Sequence, residues 1–458
     1  MENENTELML NTPVPKAILT LSIPTVLSTV VALLYNLTDT YFIGLLDDPV
    51  QLGAISLAFP LFMVIQAIGN MFGNGAPAYI SRCLGAGKHD EARKTSAVSV
   101  YVASIMTLGM TVLVFLFMQP IIHLLGASPD MAQPTRDYLN VIVGFSVFLT
   151  LQGILPALLR AEGKVKEAVI GMVIGTGLNI ILDPIFILLM NCGAAGAAWA
   201  TIIGNFVAVV YYVSVFLRGK SSLSIAPRDF KPSKVILIEV LKIGVPSSIA
   251  QVIMSFTNIL LNNLAVSYGD YVVSAYGVAG KMVTMVVMIT LGYVSGYMPF
   301  AGYNYGAKNY RRMISALKFT ILSGTGLCLI MLIPFIWLAP AYMRVFSSRR
   351  EIIDVGCMFL RGYSWVVPGM ALQTALMCTF QAVGAAGRAT LLNLGKQILF
   401  CIPFLWLFNH WWGLTGLVYA QTGADICTTI LAILLAVPML RHLNERQKAE
   451  GSQGQNTK

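Results

Sequence analysis

Charged residues are scarce in this 458-residue sequence: Asp, Glu, Lys and Arg make up 11% of it, whereas 56% of the residues are hydrophobic. Soluble domains carry about a quarter charged residues, so a water-soluble globular protein is excluded. Between Lys94 and His123, and again between Lys242 and Asp270, no residue is charged. Each gap exceeds the roughly 20 residues that cross a bilayer as a helix. The chain therefore contains membrane-spanning helices.

Side chains for catalysis and metal binding are also few. The four histidines form no HExxH motif, GxSxG is missing, and the seven cysteines are scattered without a CxxC pair. We therefore predict no enzyme, no disulfide framework, no zinc site and no organic cofactor. The N-terminal MENENTELML lacks the basic flank and cleavage site of a signal peptide, so we expect it to be retained.

The hydrophobic stretches predict an all-α integral membrane protein, because lipid offers no partner for unpaired backbone groups. Reading all of them in this way gives twelve transmembrane helices. Most Lys and Arg residues fall on one side of these helices, so the net charge of +9 indicates topology and not nucleic-acid binding. We expect a multi-pass protein of the plasma (inner) membrane with both termini cytoplasmic. The basic residues predicted on the outer side are Arg136, Arg344, Arg349, Arg350 and Arg361.

The sequence is one motif used twice, with an offset of about 221 residues. Ile23-Pro24 matches Val245-Pro246, and GAAGAAWATIIGN (193–205) matches GLTGLVYAQTGAD (413–425). Because six helices per repeat is an even number, the two lobes share one orientation, and substrate is expected between them. The predicted units are an N-lobe (1–217), a cytoplasmic linker (218–242), a C-lobe (243–440) and a disordered cytoplasmic tail (441–458).

Carboxylates within the predicted spans are the first candidates for function, because an acidic side chain at membrane depth costs a few kcal/mol on insertion scales. Asp39 and Asp183 both fall in the outer half of the N-lobe. Asn36 and Asn179 precede them by three and four residues, so each shares a helix face with its aspartate. Together these oxygens suit a hard cation such as sodium, and two neighbouring carboxylates can equally share a proton. Separately satisfied structural groups are the alternative.

Further polar side chains lie within predicted spans. Thr201 and Asn205 share a helix face and could complete the N-lobe site, or merely bond to the backbone of their own helix. Asp425, the counterpart of Asn205 in the repeat, is expected to form a structural pair with Lys396 or with another polar group of the second lobe. Lys281 is expected to face a wet cavity or a carboxylate, and Gln152 is a possible cavity residue. The positions that match Asp39 and Asp183 in the second half are apolar, so ion coupling is predicted in the N-lobe alone.

The chain resembles the multidrug and toxic compound extrusion (MATE) transporters, in particular their MepA-like and DinF-like branches. The resemblance runs nearly end to end. It implies two six-helix lobes in a V-shaped arrangement and export of cationic or amphipathic drugs in exchange for protons or sodium. It places the ion site on Asp39, Asn179, Asp183 and Thr201. The matching segments are AISLAFPLF (54–62), YISRCLGAGK (79–88), LNIILDPIFI (178–187), GAAWATIIGN (196–205) and KIGVPSSI (242–249).

The sequence therefore predicts a monomeric antiporter in membrane lipid, with small amphipathic or cationic substrates, no nucleic-acid partner, and H⁺ or Na⁺ as coupling ion. Some MATE relatives carry acidic residues in helices seven and ten, but here those helices offer only amides, so a second-lobe carboxylate site of that kind is not expected. A flippase for lipid-linked glycans or peptidoglycan precursors is the alternative function. A major-facilitator carrier is disfavoured, because SRCLGAGKHDEARK (81–94) lacks the charged loop motif of that class.

Overall fold

The computed structural model describes residues 2–44, 48–190, 192–219, 221–346, 349–365 and 367–455, which form helices and short connections and contain no strand. Lys220 of the predicted linker and residues 456–458 of the predicted tail lie outside these ranges. The helices are α1 (Glu2–Leu10), α2 (Val14–Gly44), α3 (Pro49–Gly85), α4 (His89–Leu116), α5 (Met118–Leu124), α6 (Pro129–Gly144), α7 (Ser146–Ala161), α8 (Val165–Pro184), α9 (Gly193–Leu217), α10 (Lys234–Val266), α11 (Asp270–Ser295), α12 (Tyr297–Gly306), α13 (Tyr310–Trp337), α14 (Ala339–Phe346), α15 (Arg350–Ser364), α16 (Val367–Val383), α17 (Ala386–Gly395) and α18 (Ile402–Gln455). Two π-helical segments (Ile185–Leu189 and Lys396–Cys401) and one 3₁₀ turn (Pro227–Asp229) complete this part of the chain.

The number of spans follows from the lengths of these helices. Nine segments of the described chain are long and apolar enough to cross a membrane, and α6–α7 and α15–α16 add two bent pairs with angles of 45° and 44°. One of the nine, Ala386–Lys448, has 63 residues, far more than a bilayer needs. Gly413 interrupts it with a non-helical backbone (φ 56°, ψ −134°). Dividing the segment there gives the twelve spans that the sequence predicts.

Among the buried residues, which are mostly hydrophobic, several polar side chains join neighbouring helices, while large apolar side chains are exposed, as expected for a chain whose solvent is lipid. On α4, Thr107 and Thr111 are buried, and their hydroxyl groups contact the hydroxyls of Thr150 and Ser146 on α7 at 2.9 and 2.8 Å. Hydrogen bonds of this kind hold transmembrane helices together where the hydrophobic effect cannot. The opposite face of α4 exposes large apolar side chains, namely Ile105, Leu108, Val112 and Leu116.

The internal repeat is visible in the backbone as well as in the sequence. Gly87 and Lys308 occupy matching positions after α3 and α12, and both have positive φ angles, 72° and 58°. Gly193 and Gly413, which begin the matched GAAG and GLTG segments, have φ angles of 55° and 56°. Each half also contains a π-helical segment, which follows Pro184 in the first half and ends two residues before Pro403 in the second. The two halves therefore share their left-handed positions, whereas their π-helical segments lie on opposite sides of the matching prolines.

The described chain divides into two compact units. Unit 1 comprises residues 1–5, 27–84 and 88–248, and unit 2 comprises residues 6–26, 85–87 and 249–458. Residues 85–87 aside, the predicted lobes differ from these units at two matching places: the segment 6–26, which includes the beginning of α2, belongs to unit 2, and the beginning of α10 belongs to unit 1. A domain boundary drawn between helices could not anticipate this, because both new boundaries fall inside a helix.

Close contacts within each unit explain these boundaries. In unit 1, a Cβ on Gly244 of α10 would lie 2.0 Å from the Met71 carbonyl oxygen of α3, and Arg82 of α3 forms a 2.8 Å ion pair with Glu239 of α10. In unit 2, a Cβ on Gly296, which directly precedes α12, would lie 2.7 Å from the Ser22 backbone nitrogen of α2. These contacts tie the beginning of each helix to the unit with which it is grouped.

The predicted linker is shorter than expected and belongs to unit 1. Residues 234–242 are already part of α10, because Ile236, Val240 and Ile243 form a buried stripe at helical spacing. Upstream of α10, Glu162 accepts hydrogen bonds from the Ser221 hydroxyl (2.6 Å) and from the Ser222 amide and hydroxyl (2.9 and 2.7 Å). The linker is therefore fastened to the end of α7.

The predicted tail is also different, because α18 continues through Gln455 where we expected disorder from residue 441 onward. Leu443 is buried, so the start of this segment packs against the protein. The residues that follow it include Glu, Arg, Gln, Lys and Ala, all of which favour helix.

Candidate functional site

The candidate site lies in unit 1, where α8 and α9 approach each other closely. A Cβ on Gly204 of α9 would lie 2.6 Å from the Gly175 carbonyl oxygen of α8 and 3.2 Å from the Asn179 Cβ. Only glycine permits this separation, and small residues at a helix interface are the usual means of close packing in membranes. The contact places Asn179 of α8 directly beside the middle of α9.

Asn179, Asp183 and Thr201 form one hydrogen-bonded group. The Asn179 amide nitrogen is 3.5 Å from Asp183 Oδ1 and 3.4 Å from Thr201 Oγ1. With the amide rotated by 180°, Nδ2 donates to Asp183 Oδ2 at 3.1 Å, and Oδ1 accepts from the Thr201 backbone amide at 3.0 Å. Asp183 is 0% exposed and Asn179 is 3% exposed. The structure thus brings three of the predicted site residues together, shielded from solvent.

Asp39 reaches the same group from α2. Asp39 lies close enough to Asp183 for direct electrostatic interaction. Tyr138 of α6 is a neighbour of Asp39 at similar range. The Tyr35 side chain, one helical turn before Asp39, lies beside the Thr201 side chain. Four helices, α2, α6, α8 and α9, therefore surround two carboxylates with amide and hydroxyl groups.

Tyr35 and Tyr138 are site residues that the sequence reasoning missed. The spacing of four residues between Tyr35 and Asp39 was a usable signal, because such residues share a helix face. Tyr138 gives no comparable local signal, since its neighbour Asp39 lies on a helix far away in the sequence. Both tyrosines supply hydroxyl oxygens, which can ligate a cation or hydrogen-bond to a carboxylate.

The backbone becomes irregular immediately after Asp183. Pro184 has no amide hydrogen for the regular helical hydrogen bond, and the chain continues as the π-helical segment Ile185–Leu189. Such segments often occur at functional sites. The chain therefore has a widened turn directly after Pro184, next to the acidic group.

Other predicted site residues lie apart from this hydrogen-bonded group. Asn36 is exposed on α2 and donates to the Ala32 carbonyl at 2.8 Å. Asn205 is half-buried on α9, one turn beyond Thr201. The Gln152 side-chain oxygen is shielded from solvent and has no hydrogen-bond partner among the described residues. Lys281 is exposed on α11 of unit 2.

The pair expected in the second half does form. Lys396 Nζ lies 2.6 Å from Asp425 Oδ1 in unit 2. Gln373 of α16 accepts from Lys396 at 3.4 Å, and its amide donates to the Asp425 carbonyl at 3.4 Å. The buried polar group of unit 2 is thus an ion pair, whereas the candidate site of unit 1 contains two carboxylates.

Duplicated membrane-spanning units and an acidic group buried in one of them define a polytopic membrane protein of the transporter type. The MatE family model matches residues 24–185 and 246–407, one match in each half. The multidrug export protein MepA of Staphylococcus aureus (strain MSSA476) is 31% identical over 451 residues, which cover 96% of this chain and 97% of that protein. MepA of Staphylococcus haemolyticus (strain JCSC1435) is 30% identical over 437 residues, covering 93% of this chain and 94% of that protein.

A solved structure shares the fold over nearly the whole chain. It is the outward-facing conformation of a multidrug resistance MATE family transporter of the MOP superfamily, with a TM-score of 0.91, 25% identity and coverage of 96% of this chain and 99% of that chain. The chain belongs to the MatE family. It is therefore a transporter and not an enzyme, and the family resemblance and the all-α transmembrane fold predicted from the sequence are confirmed.

Proposed function

We propose that this chain is a secondary active multidrug exporter that exchanges cationic or amphipathic organic compounds for H⁺ or Na⁺. Its relatives in Staphylococcus are named multidrug export proteins and align with it over more than nine-tenths of its length. The observation that carries the coupling part of the proposal is the grouping of Asp39, Asp183, Asn179 and Thr201 in unit 1.

The physical basis of coupling is the repulsion between the two carboxylates. Two ionised side chains in a poorly hydrated site repel each other strongly, so the pair binds either a proton or a monovalent cation. Sodium would be held by the carboxylates, the Asn179 amide oxygen and the hydroxyl of Thr201, all of which are hard oxygen ligands. A bound proton would instead join Asp39 and Asp183 directly.

Occupancy of this site favours one conformation of the transporter over another. A ligand shifts a conformational equilibrium only by its difference in affinity for the two states. If ion and substrate favour opposite states, each lowers the affinity for the other by the same factor. Ion entry from outside would then promote substrate release, and the irregular backbone after Asp183 is suited to respond to the bound ion.

An exposed face of α11 is suited to contact the substrate. Lys281, Met285 and Met288 lie at helical spacing on this face and are all exposed. A lysine deep in a span is costly to place in lipid, so the face is expected to line a hydrated cavity. Methionine side chains adapt their shape to varied apolar ligands, which suits a broad range of substrates.

We further propose a monomer in the plasma membrane with both termini cytoplasmic. The orientation of the termini is supported by the uneven distribution of Lys and Arg between the two sides of the predicted helices, because basic residues in short loops stay in the cytoplasm. Reporter fusions at the cytoplasmic linker and at the loop near Arg349 would report opposite sides. Equal reporter activity at the two positions would contradict this topology.

The proposal is tested by Asp183→Asn in a bacterial strain without its own drug pumps. We expect efflux of a lipophilic cationic dye to fall at least tenfold at equal protein level, because asparagine can neither bind a proton nor provide negative charge for sodium. The control is Asp130→Asn, which makes the same change at an exposed position on α6 and should retain efflux. Full efflux by Asp183→Asn would overturn the coupling site. Loss of efflux in both variants would show that the assay reports expression or folding.

A further inference from the structure

Unit 2 contains a charged group that the proposed function leaves unused. Lys396 begins the π-helical segment Lys396–Cys401, and its ammonium lies 2.6 Å from Asp425 Oδ1 and 3.4 Å from Gln373 Oε1. Gln421 donates to Asp425 Oδ2 at 3.4 Å. The Asp425 side chain is 2% exposed and that of Lys396 is 22% exposed. A carboxylate and an amide oxygen thus bind a cation that the chain itself provides.

The repeat relates this group to the candidate ion site. When GAAGAAWATIIGN is aligned with GLTGLVYAQTGAD, Gln421 corresponds to Thr201 and Asp425 corresponds to Asn205. With Pro184 aligned on Pro403, Lys396 corresponds to Gly177 of α8. Of the unit 1 counterparts, Thr201 belongs to the candidate ion site, and Asn205 lies one turn beyond it on the same helix. Unit 1 has no lysine at the matching position, and unit 2 has one.

The charge of Lys396 is not required by the architecture of the repeat. In unit 1 the positions that match Lys396 and Asp425 are Gly177 and Asn205, both uncharged, and a Cβ on Gly177 would meet no described atom within 4 Å. Replacing a buried ion pair by uncharged groups is often neutral for stability, whereas removing one partner is strongly destabilising. Asp425 without Lys396 would therefore need another cation.

We propose that the Lys396 ammonium group is a tethered cation, that is, a cation fixed to the chain. In unit 2 it would permanently take the place that an exchangeable ion has in unit 1. Only unit 1 would then exchange an ion during transport, and unit 2 would remain in a fixed, cation-filled state. The inference rests on the proposed function for the role of unit 1. It adds that the asymmetry between the units comes from a built-in ammonium as well as from the missing carboxylates.

The test is chemical rescue of Lys396→Ala in the purified full-length protein at neutral pH. This substitution leaves space for a small alkylammonium ion beside Asp425. We expect ethylammonium chloride to raise the Tm of Lys396→Ala by on the order of 2 °C for each tenfold increase above its Kd. The wild type and the double variant Lys396→Ala/Asp425→Asn should show no such rise. An equal response of the single and double variants, or no response in the single variant, would overturn the proposal.

A second variant covers the case in which Lys396→Ala does not fold. Lys396→Gln keeps most of the side-chain length without the charge, so Asp425 would take a cation from solution, and the Tm should rise with NaCl. The protein tested is the double variant Lys396→Gln/Asp183→Asn, because the second substitution prevents the unit 1 site from producing this rise. The Tm of the control Lys396→Arg/Asp183→Asn, which keeps the charge, should not rise with NaCl. A flat Tm of Lys396→Gln/Asp183→Asn in NaCl would contradict the tethered-cation role.

The two proposals fail in distinguishable ways. If Asp183→Asn alone keeps ion-driven transport, the proposed coupling site is wrong, whatever the rescue shows. If Asp183→Asn abolishes ion-driven transport and neither Lys396 variant binds a cation, the coupling site stands and Lys396 serves only to stabilise unit 2.

Discussion

Replacing Gly204 by alanine would separate α8 from α9 at the point where they position Asn179 and Thr201. The new Cβ would lie 2.6 Å from the Gly175 carbonyl oxygen and 3.2 Å from the Asn179 Cβ. The first distance is too short for a stable contact with a backbone atom, so one helix must move away. Overpacking of this kind costs about 1–3 kcal/mol, and the higher helix propensity of alanine offsets up to about 1 kcal/mol of it. We expect a net loss of roughly 1–2 kcal/mol in unfolding free energy.

The same displacement should weaken the ion site. Asn179 contacts Thr201 at 3.0 Å through the backbone or 3.4 Å through the hydroxyl, so a shift of about half an ångström takes these groups to the limit of hydrogen bonding. A loss of about 1.4 kcal/mol corresponds to a tenfold weaker Kd. We therefore expect the ion concentration for half-maximal transport to rise about tenfold in Gly204→Ala.

Gly177→Ala is the matched control, because a Cβ at this position of α8 would meet no described atom within 4 Å. Its Tm should stay the same or rise slightly, and its ion dependence should not change. Both variants are compared by thermal unfolding in detergent and by transport in proteoliposomes at a series of ion concentrations. The reasoning is refuted if Gly204→Ala and Gly177→Ala have the same Tm and the same ion dependence.

Three further changes probe other parts of the structure. Glu162→Gln weakens the bonds to the linker, so trypsin should cleave after Arg228 several times faster with transport unchanged; an unaltered cleavage rate would contradict the role of Glu162. Lys308→Gly should raise stability by about 0.5–1 kcal/mol, because Lys308 has a left-handed backbone (φ 58°) where its counterpart is Gly87; a lower Tm would refute this. Tyr35→Phe removes a hydroxyl beside Thr201 and should weaken ion binding about fivefold; an unchanged ion dependence would exclude that contribution.

The all-α class, the repeat and much of the site follow from local properties of the sequence. Charge-free stretches that, as helices, are longer than the bilayer is thick can be recognised as membrane spans without tertiary information. Asn179 and Asp183 are four residues apart on one helix, so their contact follows from helix geometry alone. The pairing of Lys396 with Asp425 is predictable because charges buried in a membrane need partners.

Features that depend on contacts between distant segments could not be predicted. Glu162 bonds to residues about sixty positions later, and no local pattern identifies its partners. The beginning of α10 belongs to unit 1 because glycine allows a close approach to α3, which is visible only in three dimensions. Tyr138 likewise reaches Asp39 only through packing of α6 near α2. The local pattern indicates which groups are buried, and the fold determines which of them meet.

Transport by purified protein in liposomes under an imposed ion gradient tests the central claim most directly. Wild-type protein should move a cationic dye against its gradient when an inward H⁺ or Na⁺ gradient is applied, and dissipating that gradient should stop it. Asp39→Asn and Asp183→Asn should each bind dye without gradient-driven transport. Gradient-driven transport by either variant at the wild-type rate would contradict the assignment of coupling to this acidic pair.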